Sequence, residues 1–135
     1  MVRKSFNRKA KGINAERDLI HILWDAGWAA VRVAGSGAIS FPSPDVVAGN
    51  GIRKVAIEAK ITSSNSKYFS KMEIAGLRKF AHAFGAEPWI AVKFPKQDWL
   101  FINPEDLKET EKGYSVNVER AVAFGLLFLE FISAD

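Results

Sequence analysis

Apolar positions along the chain change period several times, and each change marks an element. Leu19, Ile20, Leu23 and Trp24 recur at helical spacing, with Asp18, His21 and Asp25 between them on a wet face. Asn14 is placed to cap this helix, which should run to about Ala26 and stop at Gly27. Trp28 to Ala34 then reads as a strand, followed by the turn-like Gly35-Ser36-Gly37 and by Pro42-Ser43-Pro44. Asp45 to Ala48 and Ile52 to Ile61 are rich in β-branched residues and meet across Asn50-Gly51, the preferred dipeptide of a two-residue hairpin. A polar connector, Thr62 to Lys67, leads to Tyr68 and Phe69. Ser70-Lys71-Met72-Glu73 has the spacing of a capping box and opens a helix with the stripe Ile74, Leu77, Ala81 and Phe84, ending at Gly85. Trp89 to Phe94 and Asp98 to Ile102 read as strands, and Glu119 to Ile132 as a last helix. The order predicts an α/β fold: a mixed central β-sheet flanked by helices.

Composition narrows the function. With 135 residues, 48% of them hydrophobic, the chain suits one compact domain over 1–135. The absence of cysteine excludes disulfides, thiol nucleophiles and cysteine-ligated zinc. The longest apolar run, Ala121 to Ile132, is too short to span a bilayer and carries Glu130, so an intracellular protein with no membrane partner is expected. The net charge of +4 is unevenly spread. Residues 1–97 hold 16 Lys and Arg against 7 Asp and Glu, whereas residues 98–135 hold 3 against 8. Arg3, Lys4, Arg8, Lys9 and Lys11 precede the first acid, so residues 1–13 read as a basic arm suited to phosphate contacts. The acidic end is expected to face away from such a partner.

The chemistry centres on Pro44-Asp45 and Glu58-Ala59-Lys60. A two-residue hairpin at Asn50-Gly51 would pair Gly49 with Ile52 and Asp45 with Ala56. Side chains alternate faces along a strand, so Asp45, Glu58 and Lys60 would share one face, with the two carboxylates as diagonal neighbours able to hold a divalent cation. A slip of one residue would dissolve the site. Glu16 continues the inward stripe of the first helix and is a third candidate carboxylate, or else a partner of the helix dipole. Such a group supports phosphodiester hydrolysis, in which Lys60 orients or deprotonates water or stabilises the transition state.

These residues resemble the PD-(D/E)XK nuclease superfamily. Their surroundings, namely Lys11-Gly12, Ala15-Glu16-Arg17, Arg32-Val33-Ala34-Gly35-Ser36-Gly37, Pro44 to Ala48 and Ile57 to Lys60, are similar in order and spacing to the archaeal Holliday junction resolvases. The resemblance is dense from about Lys11 to Lys60 and weaker beyond. It implies a homodimeric, Mg²⁺-dependent endonuclease, with one or two ions per site and Mn²⁺ as a substitute, that nicks four-way DNA junctions symmetrically in recombination and repair near the nucleoid. Glu16, Ser36, Asp45, Glu58 and Lys60 would be the catalytic set, with Glu16, Asp45 and Glu58 on the metal. Arg17, Arg32 and Ser36 would join the basic arm in contacting DNA. The apolar segment from Ala121 to Ile132, apolar all round if helical, agrees with a dimer. Two rival readings keep part of this: a duplex nuclease of restriction or repair type with the same site, and a non-catalytic DNA-binding protein that uses only the basic face.

Overall fold

The computed structural model describes residues 2–34 and 41–134, with the side chains of residues 2–10 outside the description. Helix α1 covers Val2–Asp25, followed by strands β1 (Ala29–Arg32), β2 (Val46–Gly49), β3 (Lys54–Ile61) and β4 (Ser66–Ser70). Helix α2 (Lys71–Phe84), β5 (Glu87–Lys93), β6 (Leu100–Ile102), a 3₁₀ turn (Pro104–Asp106), β7 (Lys108–Glu109), β8 (Gly113–Asn117), α3 (Val118–Phe124) and α4 (Phe128–Ser133) complete the chain.

Five strands form a mixed sheet in the order β1-β2-β3-β5-β6, and β4-β8-β7 form a second, antiparallel sheet. In the large sheet only β3 and β5 are parallel, with Ala56 beside Pro88 and Lys60 beside Val92. Alternation along β3 assigns its two faces. Val55, Ile57 and Ala59 join Ala15, Leu19 and Leu23 of α1 in one core layer. Ala56 joins Ile74, Leu77 and Ala81 of α2 in the other. Glu58 and Lys60, in phase with Ala56, therefore lie on the α2 side. The expected architecture of a mixed sheet between helices holds.

Several expected boundaries do not. Asn14 caps nothing, because α1 is already helical from Val2, and the expected arm of residues 1–13 is mostly its first three turns. Lysine, arginine and alanine favour helix there, and Gly12 alone costs about 1 kcal/mol. Trp24, expected inside, is 56% exposed, although its Nε1–H donates to the Ala30 carbonyl at 2.9 Å. The hairpin closes with a four-residue loop, since Gly49 pairs with Lys54 and not with Ile52. The reason is an Asx-type turn: Asn50 Oδ1 accepts from the amides of Ile52 (2.9 Å) and Arg53 (2.6 Å). Gly51 takes the positive φ of 93° that this loop needs.

The connector from Thr62 gives way to β4 at Ser66, which leaves Phe69 buried and Tyr68 exposed. Helix α2 has the expected capping box and its αL residue at Gly85 (φ 79°), but Phe84 leaves the stripe and stacks half-exposed on Phe80. The expected final helix is two helices. Leu126 exchanges both backbone hydrogen bonds with Phe101, at 2.7 and 2.8 Å, which interrupts the helix between α3 and α4. A Cβ on Gly125 would run into the carbonyl oxygens of Ala121 and Phe101, so only glycine fits that break. Strands β7 and β8 carried no period the sequence reading detected.

Candidate active site

The observed register shifts the pairing of β2 with β3 by two residues from expectation. Val46 pairs with Ile57, so Asp45 falls next to Glu58 instead of Ala56. An even shift keeps every side chain on its face, so the grouping of Asp45, Glu58 and Lys60 survives and becomes tighter. Asp45 is pinned from both ends: its amide donates to the Ile57 carbonyl at 3.0 Å, and its Oδ2 accepts from the Ala59 amide at 2.9 Å. Lys60 Nζ lies 3.2 Å from Glu58 Oε1 and 3.9 Å from Glu73 Oε2.

Glu73 and Ser70 are the residues that sequence reasoning missed. Glu73 Oε1 accepts from the Ser70 amide in the capping box, and its other oxygen faces Lys60. The signal was present in the box itself, which is a complete structural explanation and so concealed a second role. Together these groups line an open pocket of about 460 Å³, with Phe41, Pro42 and Met72 among the other residues of its wall.

The electrostatics are those of too much negative charge for the cations at hand. Burial, then the Asp45 charge and a hydrogen bond with Asp45, push the Glu58 carboxyl up to about 8 against the pull of Lys60. Burial and Asp45 raise Glu16 to about 6, with Arg32 and Lys60 opposing. Burial works against the Lys60 charge, yet Glu58, Asp45 and Glu73 outweigh it and its pKa is raised.

Glu16 takes a different place from the one expected. It belongs to α1, which covers the opposite face of the sheet, and it lies 3.8 Å from Arg32 Nη1, with the Asp45 charge close enough to raise its pKa. Among the described residues no three His, Cys, Asp or Glu side chains form one close cluster: Asp45 and Glu58 are adjacent, and Glu16 reaches the site electrostatically, through Asp45 and Lys60. Lys11 and Arg17 are exposed, and Arg32 is engaged with Glu16. The side chains of Arg3, Lys4, Arg8 and Lys9, and the whole of Ser36 with the Gly35–Gly37 turn, lie outside the described residues. Among the described residues no helix is long and apolar enough to cross a membrane.

A mixed sheet between helices, with Asp45 ahead of one strand and Glu58 and Lys60 on the next, places the fold in the PD-(D/E)XK class. The model of the archaeal Holliday junction resolvase family matches residues 7–134, and the chain belongs to that family. It is 45% identical over 122 residues to the crossover junction endodeoxyribonuclease Hjc of Archaeoglobus fulgidus, covering 90% of this chain and 89% of the relative. The Methanocaldococcus jannaschii protein of the same name is 35% identical, covering 90% and 86%. The crystal structure of the Archaeoglobus fulgidus Hjc, described as a Holliday junction resolvase, superposes with a TM-score of 0.83 at 43% identity, over 88% of this chain and 96% of that one.

Proposed function

We propose that this protein is a metal-dependent endodeoxyribonuclease that recognises four-way DNA junctions and resolves them by paired, symmetric nicks in recombination and repair. Membership of the resolvase family supports the substrate, and one observation carries the chemistry. Asp45 and Glu58 sit side by side against Lys60 in an open pocket, with Glu58 raised to about 8.

That excess of negative charge is what a divalent cation relieves. Mg²⁺ is commonly held by one or two carboxylates, with water and phosphate oxygens completing the shell, and the Asp45 and Glu58 pair fits that habit. When bound, one or two Mg²⁺ ions, or Mn²⁺ in their place, would polarise the phosphoryl group and lower the pKa of the attacking water.

The protein's own groups do the rest. The backbone of β3 fixes Asp45 through the Ala59 amide, so the carboxylate is already held in the wall of the pocket before any ligand arrives. Lys60, kept charged by its three carboxylate neighbours, places a cation where negative charge develops on the phosphate. Glu73 holds the Lys60 ammonium from the α2 side. Glu16 and Arg32 form an outer pair on the α1 side of the sheet, where the arginine is available to a neighbouring phosphate. Ser36 and the basic residues of α1 complete the DNA contacts in this reading.

The protein acts as a homodimer inside the cell, since two sites related by symmetry address two strands of one junction. Uncovered apolar side chains support the pairing: Val122, Phe124, Leu127 and Leu129 at the C-terminal end, and Val31 and Phe84 near the β1 edge. Sedimentation equilibrium should give twice the chain mass; a monomer at cleavage concentrations would remove this part. For the function itself, the protein is incubated with Mg²⁺ and either a synthetic four-way junction or the matching linear duplex. The proposal expects two symmetric nicks in the junction and an intact duplex. Equal cutting of both would make it a duplex nuclease, and cutting of neither a DNA-binding protein.

A further inference from the structure

The small sheet has a face that the chemistry described so far does not use. The side chains of β4 alternate, with Phe69 buried in the core and Ser66, Tyr68 and Ser70 pointing the other way. Ser70 belongs to the active-site pocket. Ser66 and Tyr68 belong to a separate groove of about 440 Å³, completed by Lys108, Ser115, Asn117 and Arg120.

The registers make this one surface. Tyr68 pairs with Ser115, and Ser115 with Lys108, so the three form a row across the sheet; Ser66 pairs with Asn117 in the next row. The lining holds three hydroxyls, an amide and two cations, and no carboxylate. Lys108 and Arg120 are two of the three basic residues in the acidic stretch 98–135, and the fold puts both here. Arg120 is held in place, its Nε–H donating to the Asp106 carbonyl at 2.6 Å and its guanidinium lying over the Phe124 ring.

Hydroxyl, amide and cationic side chains without acids are the groups that contact phosphate and sugar in protein–DNA complexes. From Ser70 to Ser66 the strand rises by roughly 13 Å, close to four base steps of duplex. We propose that the outer face of the β4-β8-β7 sheet is a second DNA-backbone surface, on which the strand leaving the active site continues along β4 and its phosphates meet Tyr68, Lys108 and Arg120. The inference rests on the nuclease reading of the pocket. It also revises the expectation that the acidic end of the sequence faces away from DNA as a whole.

The test uses Asp45→Asn protein, so that nothing is cut, and a four-way junction. Lys108→Ala is exposed and leaves the Arg120 anchor intact. Lys112→Ala removes the same charge from the bend between β7 and β8, outside the groove. The slope of log affinity against log salt should become shallower by about one for Lys108→Ala and stay unchanged for Lys112→Ala. Ethylation of phosphates about four base steps from the scissile bond should interfere with binding by the parent and not by Lys108→Ala. If the parent binds and Lys108→Ala keeps its slope, or if both lysine variants lose equally, the surface is overturned and the active site stands. If the parent binds no junction at all, the substrate reading falls and takes this inference with it.

Discussion

Two charged clusters stand at opposite ends of β3, built from the same residue types and in opposite states. Just before the strand, Arg53 donates to both oxygens of Glu87 at 2.8 and 2.9 Å and to the Phe131 carbonyl at 2.7 Å. Its guanidinium also lies over the rings of Trp28 and Phe131. Trp89 Nε1–H satisfies Glu87 further, and the hydrogen bond from Arg53 leads in holding the Glu87 carboxyl below its ordinary range. About five residues on, roughly 17 Å along the strand, Asp45, Glu58, Glu73 and Glu16 share Lys60 and Arg32, and Glu58 is raised to about 8. The first cluster has a partner for each charge and serves the fold. The second has fewer cations than carboxylates, and in the proposed reading it serves the chemistry, because its unbalanced charge is what a metal ion and a phosphate can complete.

That contrast predicts different failures at the two ends. Lys60→Ala should slow junction cleavage by about 10³-fold, the scale for losing one preorganised charge at the reacting phosphate, with little loss of melting temperature. A parallel fall in thermal stability would mean that Lys60 belongs to the first kind of cluster. Arg53→Ala should do the reverse. It strips three hydrogen bonds and a cation from two aromatic rings, leaving a half-exposed Glu87 behind, so urea denaturation should show a loss of about 2 kcal/mol. Cleavage by the protein that remains folded should be near normal.

Smaller effects follow from titration. The raised values of Glu16 and Glu58 mean that the native state holds protons which the unfolded chain releases. Their contribution to stability is present below about 4.5 and is lost as pH rises through about 6 for Glu16 and about 8 for Glu58. Without metal, melting temperature should therefore decline across that window, and added Mg²⁺ should restore most at the alkaline end. A metal-free profile flat from pH 5 to about 8 would contradict the crowding of carboxylates. Glu58→Gln removes the repulsion and should raise the metal-free melting temperature at alkaline pH by about 3 °C. Glu87 has the opposite sign: its contribution is present above 4.5 and fades as pH falls through its lowered value.

The contrast also explains what could be read from the sequence. The grouping of Asp45, Glu58 and Lys60 on one face was legible because parity along a strand is robust: the loop was two residues longer than expected, yet the three stayed together. The α2 boundaries were legible because capping chemistry is local. Arg53 was not, since its partners Glu87 and Phe131 are 34 and 78 residues away and only the parallel pairing of β3 with β5 brings the first of them near. Glu73 was hidden by its own cap. The break at Leu126 escaped because it depends on a bridge to Phe101 that no helical period encodes. Glu16 was placed on the right helix, but which face of the sheet that helix covers is a tertiary property.

In the proposed reading the unbalanced end of β3 performs phosphodiester cleavage. It is tested most directly by Asp45→Asn, assayed on one labelled four-way junction for binding without metal and for nicking with Mg²⁺. Binding should stay close to that of the unaltered protein, with no detectable nicks. Nicking at or near the unaltered rate would show that Asp45 is not in the reaction and that the chemistry lies elsewhere.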